Sequence, residues 1–127
     1  MGITMTVDHA RRRVLARAEG LIAVHDVRAH LEEERLAAGL PYGELIDGRG
    51  CRLNVSPKDV RTVVDILRTL GQASQLGPTA VIVDTEVAYG MLRMLGMLME
   101  DACAIQPFHR QEEAEQWLAE CVGVQTP

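Results

Sequence analysis

The alternation of apolar and polar residues predicts two strands at the start of the chain. In residues 3–8 and again in residues 13–19, every second position is apolar, which is typical of strands with one buried face. The polar residues 8–12 between the two segments favour a turn. The sequence therefore predicts an N-terminal antiparallel hairpin.

Helix-period and strand-period segments then alternate to the end of the sequence. The predicted strands are 44–47, 79–83 and 103–108, and the predicted helices are 24–38, a segment from Pro57 to near Gly71, 86–99 and 110–121. The run 79–83 is continuously apolar, so we expect it to be buried on both faces inside a sheet.

The resulting order, ββαβαβαβα, predicts an α/β fold. Parallel strands joined by helices require right-handed crossovers, so we expect a mostly parallel five-stranded sheet with four helices and one antiparallel edge strand from the hairpin. A length of 127 residues without a visible linker predicts a single domain over residues 1–127.

Composition narrows the classes of function. A net charge of −5 and 3% aromatic residues argue against nucleic-acid binding. The longest apolar stretch, 87–99, is too short to span a bilayer, and the N-terminus does not read as a signal peptide, so we expect a cytoplasmic protein without membrane insertion. The cysteines and histidines are widely scattered, and we predict neither a metal site nor a cofactor.

Polar residues follow two predicted strands. Asp47 ends one strand and Arg49 follows shortly after it, and Asp84 and Thr85 come after the next strand. Ligands of open α/β sheets bind beyond the carboxyl ends of the strands, so these residues are candidates for recognition of a ligand or partner. An Asp–Arg ion pair and a helix cap explain the same residues without a ligand, and we regard that interpretation as the simpler one.

Ser56 also has a structural and a functional interpretation. Followed by Pro57 and, three positions on, by Asp59, it forms a capping signal for the second helix. A phosphate on Ser56 would also be stabilised by the helix N-terminus. Capping alone accounts for the residue.

The predicted helix 86–99 is apolar almost all round, so it must be covered on more than one side. The second side could be covered by a neighbouring helix, by a second subunit, or by an apolar ligand. The candidates for such an interface or pocket are Met91, Met94, Leu95 and Leu98.

Three segments resemble the bacterial STAS-like proteins, which are related in fold to anti-sigma-factor antagonists. They are 44–63, 83–99 and 108–118, and the second matches at Thr85, Ala88, Tyr89, Gly90, Arg93 and Met94. The resemblance implies a domain that works by binding, and it adds Tyr89 and Arg93 to the candidate binding residues. In the antagonists a Ser or Thr near a helix start is phosphorylated. Ser56 is the nearest counterpart here, although it is followed by Pro-Lys-Asp rather than a DSSG-like sequence.

We therefore predict a non-catalytic regulatory module of the bacterial cytosol that binds a protein partner and forms a homodimer. The alternative is a protein that binds a small apolar, lipid-like molecule between helix 86–99 and the sheet. A third possibility, an enzyme using Asp47 and Asp84 as acid and base, lacks an accompanying nucleophile, phosphate loop or metal set.

Overall fold

The computed structural model describes residues 2–125, with side chains to residue 121. The strands are β1 (Gly2–Asp8), β2 (Arg13–Glu19), β3 (Leu21–Ile22), β4 (Gly43–Asp47), β5 (Arg52–Leu53), β6 (Thr79–Ile82) and β7 (Ile105–Phe108). The helices are α1 (Val24–Leu36), α2 (Pro57–Ala73), α3 (Glu86–Leu98) and α4 (Gln111–Gln125).

Five of these strands form one sheet in the order β1-β2-β4-β6-β7. The β1–β2 pair is antiparallel, and the β2–β4, β4–β6 and β6–β7 pairs are parallel. This topology confirms the predicted α/β fold. Pro107 lies on the edge strand β7, where its missing N–H breaks no interior ladder.

A second, two-stranded sheet was not predicted. Leu21 pairs with Arg52, and Ile22 pairs with Leu53, in parallel. Two residues are too few to show any periodicity, so these strands leave no pattern in the sequence. Strand β7 also begins later than predicted, because the N–H of Cys103 donates to Met99 O and continues the turn that ends α3.

Helix α4 covers one face of the sheet. Leu45 of β4, together with Ala80 and Ile82 of β6, packs against Ala114 and Leu118 of α4 in a cluster of buried residues. Side chains alternate between faces along a strand, so the residues between these three point to the opposite face.

The opposite face is covered by α1, α2 and α3. Leu31 of α1, Val63 and Leu67 of α2 and the C-cap Met99 of α3 form one buried cluster. Val81, Val83 and Ala88 form a second cluster on the same side. The molecule is therefore layered as one helix, the sheet, and three helices.

Helix α3 packs closely on the edge strand. A Cβ added to Gly96 would lie 2.3 Å from Ile105 O, so only glycine fits at this crossing. The outward side of α3 stays apolar, with Val87 71% and Met97 65% exposed. Among residues 2–125, no helix combines the length and apolar character needed to cross a membrane.

Candidate functional site

A cavity of about 170 Å³ lies between the sheet and the layer of α1, α2 and α3. Its floor includes Ala18, Ile46 and Val81 from three neighbouring strands, and its roof includes Val63 and Leu95 from two helices. Almost all of its lining is aliphatic. Cavities of this size and character, roughly 150 Å³, can stay free of water and can bind benzene.

The cavity lies where the predicted apolar-ligand site was expected, beside α3. Met91 and Leu95 line it, as does Leu92, which was not among the candidate residues. Met94 does not appear in the lining, and Leu98 is 45% exposed on the outside of the helix. The apolar candidates are therefore divided between the inner and outer sides of α3.

A hydrogen-bonded pair, His30 and Glu44, lines the mostly aliphatic cavity together with Thr79 and Cys51. His30 Nε2 lies 2.6 Å from Glu44 Oε2 in a buried hydrogen bond between α1 and β4. The same nitrogen lies 2.8 Å from Oε1 of Glu34, one helical turn further along α1. All three side chains are at most 5% exposed, which is rare for ionisable residues.

Burial and mutual contact change how these groups titrate. Burial lowers the pKa of His30, but interactions with Glu34 and Glu44 outweigh burial and raise that pKa to about 10. Burial also raises the pKa of Glu44 to about 8, with the negative charge of Glu34 acting in the same direction and His30 opposing it. Both shifts favour the protonated forms, an imidazolium at His30 and a neutral carboxyl at Glu44.

The hydrogen bonding of the cluster is incomplete. Within the described part of the chain, His30 Nδ1 has no hydrogen-bond partner, and Glu34 Oε1 has no partner besides its contact with His30 Nε2. Buried polar atoms are usually satisfied, and unsatisfied ones often mark a functional site. The three residues also offer ligand atoms that lie within 4.8 Å of one another, a spacing at which they could hold a metal ion.

The sequence prediction missed this cluster, although a signal was present. His30 and Glu34 are four positions apart in the predicted helix, on the same side as Val27 and Leu31. Two ionisable residues in the apolar stripe of a helix indicate a buried polar contact. Their partner Glu44 begins the next predicted strand, but nothing in the sequence around Glu44 indicates that it lies beside α1.

The strand-end candidates form a separate, self-contained group. Both carboxylate oxygens of Asp47 accept from Arg49, with Nε and Nη2 each at 2.9 Å. These hydrogen bonds lower the pKa of Asp47. Asp84 accepts from the backbone N–H of Gly50 at 2.9 Å. The two aspartates therefore lie in one region, but both are already engaged within the protein.

The helix-start candidates are engaged as caps. Ser56 Oγ accepts from the N–H of Asp59 at 3.2 Å, and Asp59 accepts in return from the N–H of Ser56 at 2.9 Å. Thr85 Oγ1 accepts from the N–H of Ala88 at 3.2 Å. Both hydroxyls thus satisfy backbone donors at the N-termini of α2 and α3.

Tyr89 and Arg93 lie on an open groove between α3 and β7. The Tyr89 ring stacks on His109 with centroids 4.6 Å apart and planes 13° from parallel. His109 lies close to Val83 O, with Nδ1 at 3.2 Å from that oxygen. The groove shares Ile105 with the lining of the cavity, and it also contains Glu100 and Gln106.

Cys51 lines the internal cavity. Burial raises the pKa of its thiol, and the charge of Asp84 acts in the same direction. Arg49 and Arg52 flank Cys51 in the sequence, and positive charge of this kind favours a reactive thiolate. Burial and the nearby Asp84 oppose thiolate formation.

Comparison with solved structures identifies a similar protein. The crystal structure of an uncharacterized protein of the DUF3478 family from Shewanella loihica PV-4, described as having a SpoIIAA-like fold, superposes with a TM-score of 0.60. The sequences are 17% identical, and the match covers 92% of this chain and 94% of that chain. The chain has a SpoIIAA-like fold. No protein-family model and no curated protein matches the sequence.

The SpoIIAA-like fold agrees with the STAS-like resemblance predicted from the three segments of sequence. Ser56, which the sequence resemblance gave as the nearest counterpart of the antagonists' phosphorylated residue, is part of a complete capping box. A similarity at 17% identity defines the fold alone. The function has to be argued from the cavity and its polar residues.

Proposed function

We propose that this protein binds a small, largely apolar molecule in the cavity between the sheet and helices α1, α2 and α3, and acts as a carrier or sensor of that molecule. The observation that carries the proposal is the cavity of about 170 Å³ with a mostly aliphatic lining and the buried pair of His30 and Glu44. Binding sites for small molecules are typically apolar and contain a few polar groups that orient the ligand.

The contacts of the strand-end residues Asp47 and Asp84 also agree with a function in binding rather than in catalysis. Asp47 is paired with Arg49, which holds its pKa low and makes it a weak base. Asp84 is held by the N–H of Gly50. Neither carboxylate belongs to the cavity lining. These contacts favour a binding module over an enzyme that uses the two aspartates.

The test is an NMR titration of protein labelled with ¹³C at the methionine methyl groups. Toluene is the probe, because it has about the size that such a cavity accepts. We expect the methyl resonance of Met91, which lines the cavity, to shift on titration. The resonance of Met97, which is 65% exposed, serves as the internal control and should stay in place.

A matched pair of variants tests whether toluene binds in the cavity. Ala88 is buried and lines the cavity, so Ala88→Met fills it, whereas Val87→Met changes an exposed neighbour on the same helix. We expect Ala88→Met to abolish the response to toluene and Val87→Met to preserve it. A folded wild-type protein whose Met91 resonance is unmoved at saturating toluene would refute the proposal.

A second candidate function, the protein-interaction module acting as a homodimer, is favoured by the outer side of α3. Val87 and Leu98 are 71% and 45% exposed. They are eleven positions apart, which places them on the same side of the helix. We propose a second copy of the chain as the occupant of this apolar face, because each copy would cover the face of the other.

The oligomeric state tests this second candidate. We expect light scattering to give a dimeric mass for the wild type and a monomeric mass for the double variant Val87→Glu, Leu98→Glu. Leu36→Glu, at a residue 72% exposed on α1, is the control and should stay dimeric. A wild type that remains monomeric at every concentration tested would eliminate the homodimer.

A further inference from the structure

The polar end of the cavity restricts the chemistry of the molecule that would bind there. His30 is 4% exposed and lines the cavity, and its Nδ1 has no hydrogen-bond partner among residues 2–125. Its other ring nitrogen, Nε2, is already occupied by Glu44 and Glu34. A residue that lines the cavity therefore has one buried ring nitrogen without a hydrogen-bond partner.

That free atom is a donor. Two carboxyl groups lie within 2.8 Å of Nε2, and negative charge beside an imidazole favours its protonated form. The pKa of about 10 agrees with this geometry. Both nitrogens of an imidazolium carry a hydrogen, so Nδ1 offers an N–H to whatever lies beside it.

Charge excludes an ionic ligand. The charge of the His30 imidazolium is already balanced by Glu34 at 2.8 Å, so a ligand carboxylate would add an unbalanced negative charge and a ligand ammonium an unbalanced positive one. The remaining lining is almost entirely aliphatic and offers no counter-ion to either charge. An uncharged acceptor can bond to the N–H without adding charge to the buried cluster.

We propose that the ligand is a small hydrocarbon bearing one uncharged hydrogen-bond acceptor, a carbonyl or hydroxyl oxygen, that binds Nδ1 of His30. The inference rests on the proposed function and adds the polarity of the ligand to it. Cavity volume limits the apolar part to about the size of one six-membered ring.

The experiment uses a series of cyclohexane derivatives that differ in one group. Cyclohexanone carries the acceptor, methylcyclohexane carries no polar group, and cyclohexanecarboxylate and cyclohexylammonium carry the two charges. Binding is followed at the Met91 methyl resonance. The ¹⁵N resonance of His30 Nδ1 is followed in the same wild-type samples, so this readout requires no substitution in the buried cluster.

We expect methylcyclohexane and cyclohexanone both to shift Met91, and cyclohexanone alone to shift His30 Nδ1. In His30→Phe, which keeps a ring of similar shape, the affinity for cyclohexanone relative to methylcyclohexane should fall at least tenfold, about 1.4 kcal/mol. His25→Phe, at an exposed histidine on the same helix, is the matched control and should leave this ratio unchanged.

The outcomes separate the two proposals. If both neutral probes shift Met91 but cyclohexanone leaves His30 Nδ1 unmoved, the apolar site stands and the assigned acceptor is wrong. Tighter binding of either charged probe than of cyclohexanone would also overturn the inference. If no probe shifts Met91, the proposed function itself fails.

Discussion

His30 Nε2 lies 2.6 Å from Glu44 Oε2, in a layer that is otherwise built from aliphatic side chains. His30 comes from α1 and Glu44 from β4, so this hydrogen bond connects the helical layer to the centre of the sheet. Burial of such groups costs free energy that an apolar pair would not cost. A polar contact in this position is therefore better explained by recognition or regulation than by stability.

The cluster should make the stability of the protein fall as the pH rises. The folded-state pKa of Glu44, about 8, lies above its ordinary value of 4.5, so the folded protein holds a proton that the unfolded chain releases. That contribution is complete below pH 4.5 and is lost as the pH rises through 8. His30, with a pKa raised from 6.5 to about 10, loses its contribution between those values.

Thermal unfolding measured from pH 5 to pH 9 checks this expectation. We expect the melting temperature to fall by several degrees, corresponding to a few kcal/mol. In Glu44→Gln the fall should be much smaller, whereas Glu33→Gln, at an exposed neighbour of Glu34, should behave like the wild type. A melting temperature that rises or stays level over this range in the wild type would contradict the assigned protonation states.

Removing only His30 from the His30–Glu34–Glu44 cluster should lower the free energy of unfolding more than replacing all three residues with apolar ones. His30→Ala leaves two buried carboxyl groups without their partner, and we expect a loss of about 3–5 kcal/mol in the free energy of unfolding. The triple variant His30→Leu, Glu34→Met, Glu44→Met replaces all three with apolar side chains of similar volume. Urea unfolding should place this variant within about 1 kcal/mol of the wild type. A triple variant as unstable as His30→Ala would mean that the cluster itself stabilises the fold.

The sequence predicted the elements whose causes are local. Ser56 and Asp59 form the predicted capping box, because its two hydrogen bonds join residues only three positions apart. The apolar run that begins at Thr79 lies between two other strands, as its composition indicated. Periodicity and capping act within one or two turns of chain, so these features could be predicted without the tertiary structure.

The candidate site depends on contacts that are distant in sequence. His30 and Glu44 are fourteen positions apart, and they meet only because α1 lies on the side of the sheet to which the Glu44 side chain points. The cavity is formed by residues from at least six elements, and its volume depends on how they pack. Helix α3 was predicted to be covered on more than one side. The hydrophobic pattern could not show that Leu95 lines the cavity whereas Leu98 is exposed on the outside of the helix.

The Ser56 cap should contribute measurably to stability. Ser56→Ala removes the acceptor for the Asp59 N–H and should cost about 1 kcal/mol, measured by urea unfolding. Ser56→Asp should retain most of the stability, because aspartate caps as well as serine. Ser74→Ala, at the other end of α2, removes a hydroxyl that bonds only to the adjacent Gln75 O, and we expect little change. If Ser56→Asp loses as much stability as Ser56→Ala, the side chain of Ser56 does more than cap.

Substitution by alanine should destabilise the protein at Gly96 of α3 and stabilise it at Gly90 of the same helix. The Cβ of Gly96→Ala would lie 2.3 Å from Ile105 O, so α3 would have to move away from β7 and disturb the cavity roof that Leu95 forms. We expect this variant to lose several kcal/mol, since backbone atoms cannot yield as a flexible side chain can. Gly90→Ala meets no atom within 4 Å and should gain roughly 0.5–1 kcal/mol from the higher helix propensity of alanine. Urea unfolding of the two variants gives the comparison, and equal stabilities would show that α3 does not pack on β7 at Gly96.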